Sequence, residues 1–316
     1  IGSPFTLVIT GTPLENTLSD LWSMFSLAAP GLFPRLDEFT ESYRTPVERD
    51  ADMTALARLR SRIRPFMLRR TKREVVAELP EKVEQVMRLE LTPEHRRRYD
   101  QHLTRERTRV LGMLEDMDRN RVAIFRALTK LRQLALEPRL VDTELPPTPS
   151  AKITTLLEQI RELAEEGHRA LVFSSFTGFL KLVRETLEAE GIEYVYLDGR
   201  TRDRPARIAR FREGGAPVFL ISLKAGGFGL TLTEADYVFM LDPWWNPAAE
   251  NQAVDRAHRI GQTQAVNVYR MVAVDTIEEK VVALQQRKRD LFTSVVDTGE
   301  FRSAVITATD IRGLLE

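Results

Sequence analysis

Cysteine is absent from the 316 residues, which excludes disulfides and thiolate metal sites and suits a reducing cytoplasm. Histidine is scarce. His95, His102, His168 and His258 make up the set, and no pair has the spacing of a zinc site. No apolar run reaches the length of a membrane span, and the amino terminus lacks the basic-then-apolar pattern of a signal peptide. The P-loop pattern G-x-x-x-x-G-K-S/T occurs nowhere, so this sequence has no standard cradle for a β/γ-phosphate. Net charge is also missing: 46 basic residues balance 46 acidic ones. Only the distribution of charge can then speak about partners. What is present is an ordinary globular composition, 43% hydrophobic and 29% charged, which argues against wholesale disorder. The length allows two compact units, each with its own core. The chain opens on Ile1 rather than Met, which reads as a piece of a longer protein.

Three zones follow along the chain. Residues 5–10 (Phe5 to Thr10) read as a short buried strand running into the turn residues Gly11, Thr12 and Pro13. A strand needs neighbours, so this one is expected to close a preceding sheet. From Leu14 to about Thr143 the periodicity is helical, with Leu14, Leu18, Leu21, Trp22 and Phe25 marking one amphipathic face. Within this zone Arg58–Arg73 carries eight basic residues and no carboxylate. Asp37–Glu38–Phe39–Thr40 resembles an acidic magnesium motif only superficially; it follows Pro34 and reads as a helix start. Pro146, Pro147 and Pro149 mark a linker. Beyond it, strands are expected at Ala170–Ser174, Tyr194–Leu197, Val218–Ser222, Tyr237–Leu241 and Val266–Val272, alternating with helices. Such alternation implies an α/β fold with a parallel sheet covered on both faces. Ligands of such sheets gather at the carboxyl ends of the strands.

Four clusters could carry chemistry. The loop Lys224–Ala225–Gly226–Gly227–Phe228–Gly229–Leu230–Thr231 follows a strand, and its glycines would let backbone amides approach a phosphate. It could equally be a turn that reverses the chain. Asn246 and Pro247 can start a helix and Gly261 can end it, which would put Gln252, Arg256 and Arg259 on one face. Two arginines there could clamp an anion, or the face could simply be solvated. In Asp242–Pro243–Trp244–Trp245–Asn246–Pro247 the indoles could stack on a base, although packing is the commoner use of tryptophan. The Arg58–Arg73 stretch could hold nucleic-acid phosphates or be a charged helix surface.

Together these segments resemble the Swi/Snf-like DNA-translocase ATPases of helicase superfamily two. Ile9–Thr10–Gly11–Thr12–Pro13–Leu14–Glu15–Asn16 is similar to that family's third motif. Leu68–Arg69–Arg70–Thr71–Lys72 with Leu79–Pro80–Glu81–Lys82 resembles its inter-lobe signature. Val172–Phe173–Ser174–Ser175–Phe176 and Leu197–Asp198–Gly199 resemble the opening of its second lobe. The stretch 225–233 is similar to the fifth motif, and the stretch 252–262 to the sixth. Leu131–Arg132–Gln133–Leu134–Ala135–Leu136–Glu137–Pro138 resembles a further signature but lacks its usual cysteine and histidine.

The resemblance implies a RecA-like second lobe at 151–292, a helical inter-lobe domain at 14–145, the end of a first lobe at 1–13 and a tail at 293–316. It implies that Arg256 and Arg259 are arginine fingers, with Gln252, Gly227 and Gly229 associated with ATP. Thr12, Ser174, Ser175, Lys224, Thr231, Arg69, Arg70 and Lys72 would touch DNA. ATP and Mg2+ would be bound mainly by a first lobe that this chain does not carry, so the chain alone is expected to show no appreciable ATPase. The implied partner is double-stranded DNA, with a DNA-bound protein complex as a further partner, no membrane and a monomeric state. The implied location is cytoplasmic and nucleoid-associated in a bacterium, or nuclear in a eukaryote. Two alternatives stand beside this reading: a non-catalytic DNA- or protein-binding module, and an RNA-directed motor.

Overall fold

The five apolar runs between Ala170 and Ala273 do form strands, because burial on both sides of the sheet leaves no polar face to solvate. The computed structural model describes residues 5–10, 18–50, 52–68, 79–146, 150–225, 230–293 and 308–315. These fall into two compact units.

The first unit is built from residues 1–75, 246–248 and 283–311. Its core comes from α1 (Leu18–Ala28), α2 (Leu36–Phe39), α3 (Thr45–Asp50) and α4 (Met53–Ile63). Leu18, Leu21 and Phe25 pack with Phe33, Phe39, Val47, Leu56 and Leu59. Phe33 sits edge-on to Phe25 at 5.9 Å and to Phe39 at 5.0 Å, the geometry aromatic quadrupoles favour. Asp52 caps α4 by accepting from the amides of Thr54 and Ala55. The helix start read at Asp37 is thus present as α2. The strand read at Phe5–Thr10 is not: these residues form no strand, and Phe5, Leu7 and Ile9 are exposed.

The second unit, residues 76–245, 249–282 and 312–316, holds the sheet. In chain order its elements are β1 (Lys82–Leu89), α5 (Pro93–Leu111), α6 (Met117–Leu136), α7 (Ala151–Glu165), β2 (Ala170–Ser174), α8 (Thr177–Ala189), β3 (Tyr194–Leu197), α9 (Arg204–Arg212), β4 (Val218–Ser222), β5 (Tyr237–Met240), α10 (Pro247–Val254), β6 (Val266–Ala273), α11 (Ile277–Thr293) and α12 (Ala308–Leu315). The first two residues of α10, the last residues of α11 and the first of α12 belong to the first unit. All six strands run parallel in the order β1-β6-β5-β2-β4-β3. Leu171, Phe173, Phe219, Ile221, Val238 and Met240 face one core with Ala253 and Val254 of α10. Ala170, Val172, Val218, Leu220 and Phe239 face the other with α7 and α8. Both faces are covered, as a parallel sheet requires.

The helical reading of residues 14–143 fails over Lys82–Leu89, which is the edge strand β1 paired along its whole length with β6. Val83, Val86 and Met87 stand at i, i+3 and i+4, a spacing that mimics a helix. Tertiary pairing overrides that local signal.

Candidate nucleotide and nucleic-acid site

At the carboxyl ends of β2 and β5 the chain places a buried charged network. Asp242 follows β5 and is 2% exposed. It accepts from the Ser174 hydroxyl at 2.5 Å, from the Ser175 amide at 3.0 Å and from the Ser175 hydroxyl. Opposite stands Arg132 of α6, also 2% exposed. Its guanidinium donates to Asp242 at 2.9 Å, to the carbonyl of Pro243 at 2.8 Å and to the Ser175 hydroxyl at 3.0 Å. The rings of Phe176, Trp244 and Trp245 surround it at 4.9, 5.0 and 5.3 Å. Burial pulls the Arg132 pKa down, and the Asp242 charge opposes that pull.

Ser174 and Ser175, which the resemblance implies would touch DNA, here turn their hydroxyls to a carboxylate of the chain itself. Ser174 is buried, and both hydroxyls are committed to Asp242. The indoles pack rather than stand free, as the commoner use of tryptophan suggested. Trp244 lies against two cations, Arg132 on one hand and the Lys224 ammonium at 5.7 Å on the other. Its amide donates to Glu250 at 2.7 Å. Lys224 itself is exposed and forms no ion pair among the described residues.

The sixth-motif segment departs from the single helical face expected for it. Helix α10 stops at Val254, well before Gly261, whose φ of +101° closes the turn that follows. The cause is visible in the backbone: the Arg256 carbonyl is taken by the amide of Leu232 at 2.9 Å, while the Arg256 amide reaches back only three residues, to Ala253. The two arginines therefore part company. Arg256 is 7% exposed, with its guanidinium 5.9 Å from the Phe173 ring centre, and burial lowers its pKa to about 10. Arg259 is exposed and donates to the Thr231 hydroxyl at 3.1 Å. Thr231 is held from a second side by Arg212, which donates to its carbonyl at 2.5 Å. Gln252 is half-buried on α10. Gly227 and Gly229 lie outside the described residues, as do Thr12, Arg69, Arg70 and Lys72.

Sequence reasoning missed Arg132 and Asp242 as the organisers of this end of the sheet. A signal existed for the arginine. Ile124, Leu128, Leu131 and Ala135 form a fully buried helical stripe, and Arg132 stands four residues after Leu128 on that stripe. A cation in an apolar stripe needs a buried acceptor. Among the described residues no group of three or more His, Asp or Glu side chains could hold a metal ion. The same residues contain no helix long and apolar enough to cross a membrane. The exposed cations Lys224 and Arg259 suit an anionic group such as the phosphates of ATP or of a nucleic acid.

The parallel sheet covered on both faces is that of a RecA-like lobe, the fold of the SWI2/SNF2 ATPase core. Residues 2–140 match the family model of the SNF2-related domain, and residues 151–261 match that of the helicase conserved C-terminal domain. The chain belongs to the SNF2 family. It is 39% identical over 305 residues to an uncharacterized ATP-dependent helicase of Mycoplasma pneumoniae, covering 95% of this chain and 29% of that protein. It is 33% identical to a chromatin structure-remodeling complex subunit of Schizosaccharomyces pombe, covering 95% of this chain and 27% of that one. The chain thus spans under a third of the length of these relatives. The solved Sulfolobus solfataricus SWI2/SNF2 ATPase core in complex with dsDNA aligns with a TM-score of 0.60 and 31% identity, over 97% of this chain and 66% of that one.

Proposed function

We propose that this chain is the part of an ATP-driven double-stranded-DNA translocase that supplies cationic contacts, with residues 14–145 as the inter-lobe segment and 151–292 as the second motor lobe. The observation that carries this reading is the bond between Arg259 and Thr231. It joins the arginine of one motif to the last residue of the glycine-rich loop, two segments singled out separately in the sequence. In this reading Arg259 brings positive charge to the γ-phosphate of ATP, a contribution worth roughly 10³–10⁵ in rate, or about 4–7 kcal/mol of barrier. Arg256, buried against Phe173, holds the turn from beneath and is the second finger only if its side chain swings out. Lys224 and Thr231 serve the DNA backbone. The preference for duplex DNA is supported by the likeness to a solved core bound to dsDNA.

The sequence has no P-loop, so this chain by itself is expected to hydrolyse no ATP; sustained turnover by the purified chain would overturn that part. In the protein carrying a P-loop lobe, Arg259→Ala is expected to cut DNA-stimulated hydrolysis by about 10³ or more while ATP still binds. Near-parental turnover in that variant would remove the finger assignment. Stimulation by duplex RNA but not by duplex DNA would make this an RNA-directed motor instead.

A further inference from the structure

The chain of contacts from Arg132 through Trp244 to Lys224 ends on an exposed ammonium that forms no ion pair among the described residues. Arg132 is anchored on three acceptors of the strand tips and caged by three rings. Its side chain has no room to choose another place. The indole of Trp244 is held from one direction by that guanidinium, and its backbone is pinned by the carboxylate of Glu250. Glu250 is itself 1% exposed and bonded to Arg270 at 3.2 Å. The indole is consequently a fixed surface, and Lys224, the first residue of the glycine-rich loop, rests its ammonium 5.7 Å from the ring centre. A cation over an indole is attracted by the ring quadrupole, and the attraction grows as the partner becomes less mobile and less solvated. A free lysine side chain would otherwise lose rotamer entropy on meeting an anion.

We propose that Arg132 is a positioning residue: acting through Trp244, it presets Lys224 as a contact for a nucleic-acid phosphodiester. The ligand class rests on the function proposed above; the positioning does not. A lysine presented this way meets a phosphate with its rotamer already chosen, so Arg132 raises affinity without touching the ligand. The same geometry explains why α6 carries an arginine on an otherwise apolar stripe.

The test is a double-mutant cycle on this chain with a short DNA duplex, followed over a salt series. Lys224→Ala is expected to lower the slope of log affinity against log salt by about one, as one lost phosphate contact should. Arg132→Met is expected to give the same loss, and the double variant to be no weaker than Lys224→Ala alone. Additive losses would mean that Arg132 acts only through general stability, and would overturn the proposal. A second readout needs no DNA. With Trp22→Phe and Trp245→Phe, Trp244 is the sole emitter, and iodide, drawn by the nearby ammonium, should quench it more effectively relative to neutral acrylamide than it does in Lys224→Ala. Arg132→Lys, which keeps the charge but lacks the planar fork and spares the fold if Arg132→Met does not, should lower that ratio to the Lys224→Ala value. An unchanged ratio would overturn the positioning. A lowered ratio in a chain that binds no DNA would uphold the positioning and sink the nucleic-acid reading.

Discussion

At the residue scale, several buried charges share one solution, in which a cation is placed where backbone carbonyls and a carboxylate converge. The Lys152 ammonium, 1% exposed, meets the carbonyls of Leu241 at 2.6 Å and Met271 at 3.0 Å and the carboxylate of Glu278 at 2.6 Å. Arg270 bridges Glu250 and Glu84, so one chain of ion pairs runs from the Trp244 amide to the outer strand β1. Burial pushes the Glu84 carboxyl up, but the hydrogen bond from Lys82 and the charges of Arg270 and Lys82 outweigh it and pull its pKa to about 2. A carboxyl depressed in the folded state contributes stability above its unfolded value and loses it as pH falls toward the folded one. Glu84→Gln should therefore be less stable than the parent at neutral pH, and the gap should narrow between about pH 5 and about pH 3. Denaturant midpoints across a pH series measure this; a gap independent of pH would show that Glu84 acts by shape rather than charge. The pairing of Asp242 with Arg132 follows the same logic, and although the apolar stripe points to the arginine, nothing in the sequence points to its acceptor. The partners are 110 positions apart, and no local pattern links an acid after one strand to a cation on a distant helix.

At the element scale, Gly261 offers the sharpest test. Its φ is +101°, and a Cβ there would meet nothing nearer than the Thr233 hydroxyl at 4.0 Å. Space is available and only the backbone objects, so Gly261→Ala should destabilise the chain by about 1–3 kcal/mol through conformation alone. Thermal unfolding of the purified variant would reveal it, and an unchanged midpoint would show that the turn relaxes freely. The sequence places this glycine at the end of the helix begun at Pro247, but that helix ends at Val254, and Gly261 instead closes the turn that follows. The i, i+4, i+7 spacing of Gln252, Arg256 and Arg259 promised one face; the bond from Leu232 to the Arg256 carbonyl breaks the ladder that face required. Where burial is two-sided, the elements were legible. The runs at 170–174, 194–197 and 218–222 are strands at the residues expected, because short apolar runs of aromatic and aliphatic residues bounded by turns leave few alternatives. Where an element sits at an edge, its pattern dissolves. In β1, Glu84, Gln85, Val86 and Arg88 are exposed, so its residues obey no clean alternation and fall by accident on helical spacing.

At the scale of the whole molecule, the described residues form two compact units with separate cores. The aromatic cluster around Phe33 shares no residue with the two cores that sandwich the sheet. The clusters also differ in kind: the first joins short helices through edge-on rings, while the second depends on long-range parallel pairing, which is slow to form and cooperative once formed. Units with separate cores need not unfold together, and a single free energy of unfolding is then not a defined quantity. The three tryptophans make this measurable, since Trp22 belongs to the first unit and donates to the Phe33 carbonyl at 3.0 Å. Trp244 and Trp245 belong to the second and flank Arg132. Replacing Trp22 by Phe leaves emission from the sheet unit alone, and replacing Trp244 and Trp245 leaves emission from the helical unit alone. The urea midpoints of the two reporters are expected to differ, with the sheet unit unfolding last because it has the larger core. Arg132→Met should lower only the sheet reporter's midpoint, by an amount corresponding to about 3–5 kcal/mol, the cost of leaving Asp242 buried without its cation. Coincident midpoints that move together in Arg132→Met would show that the two cores form one cooperative whole.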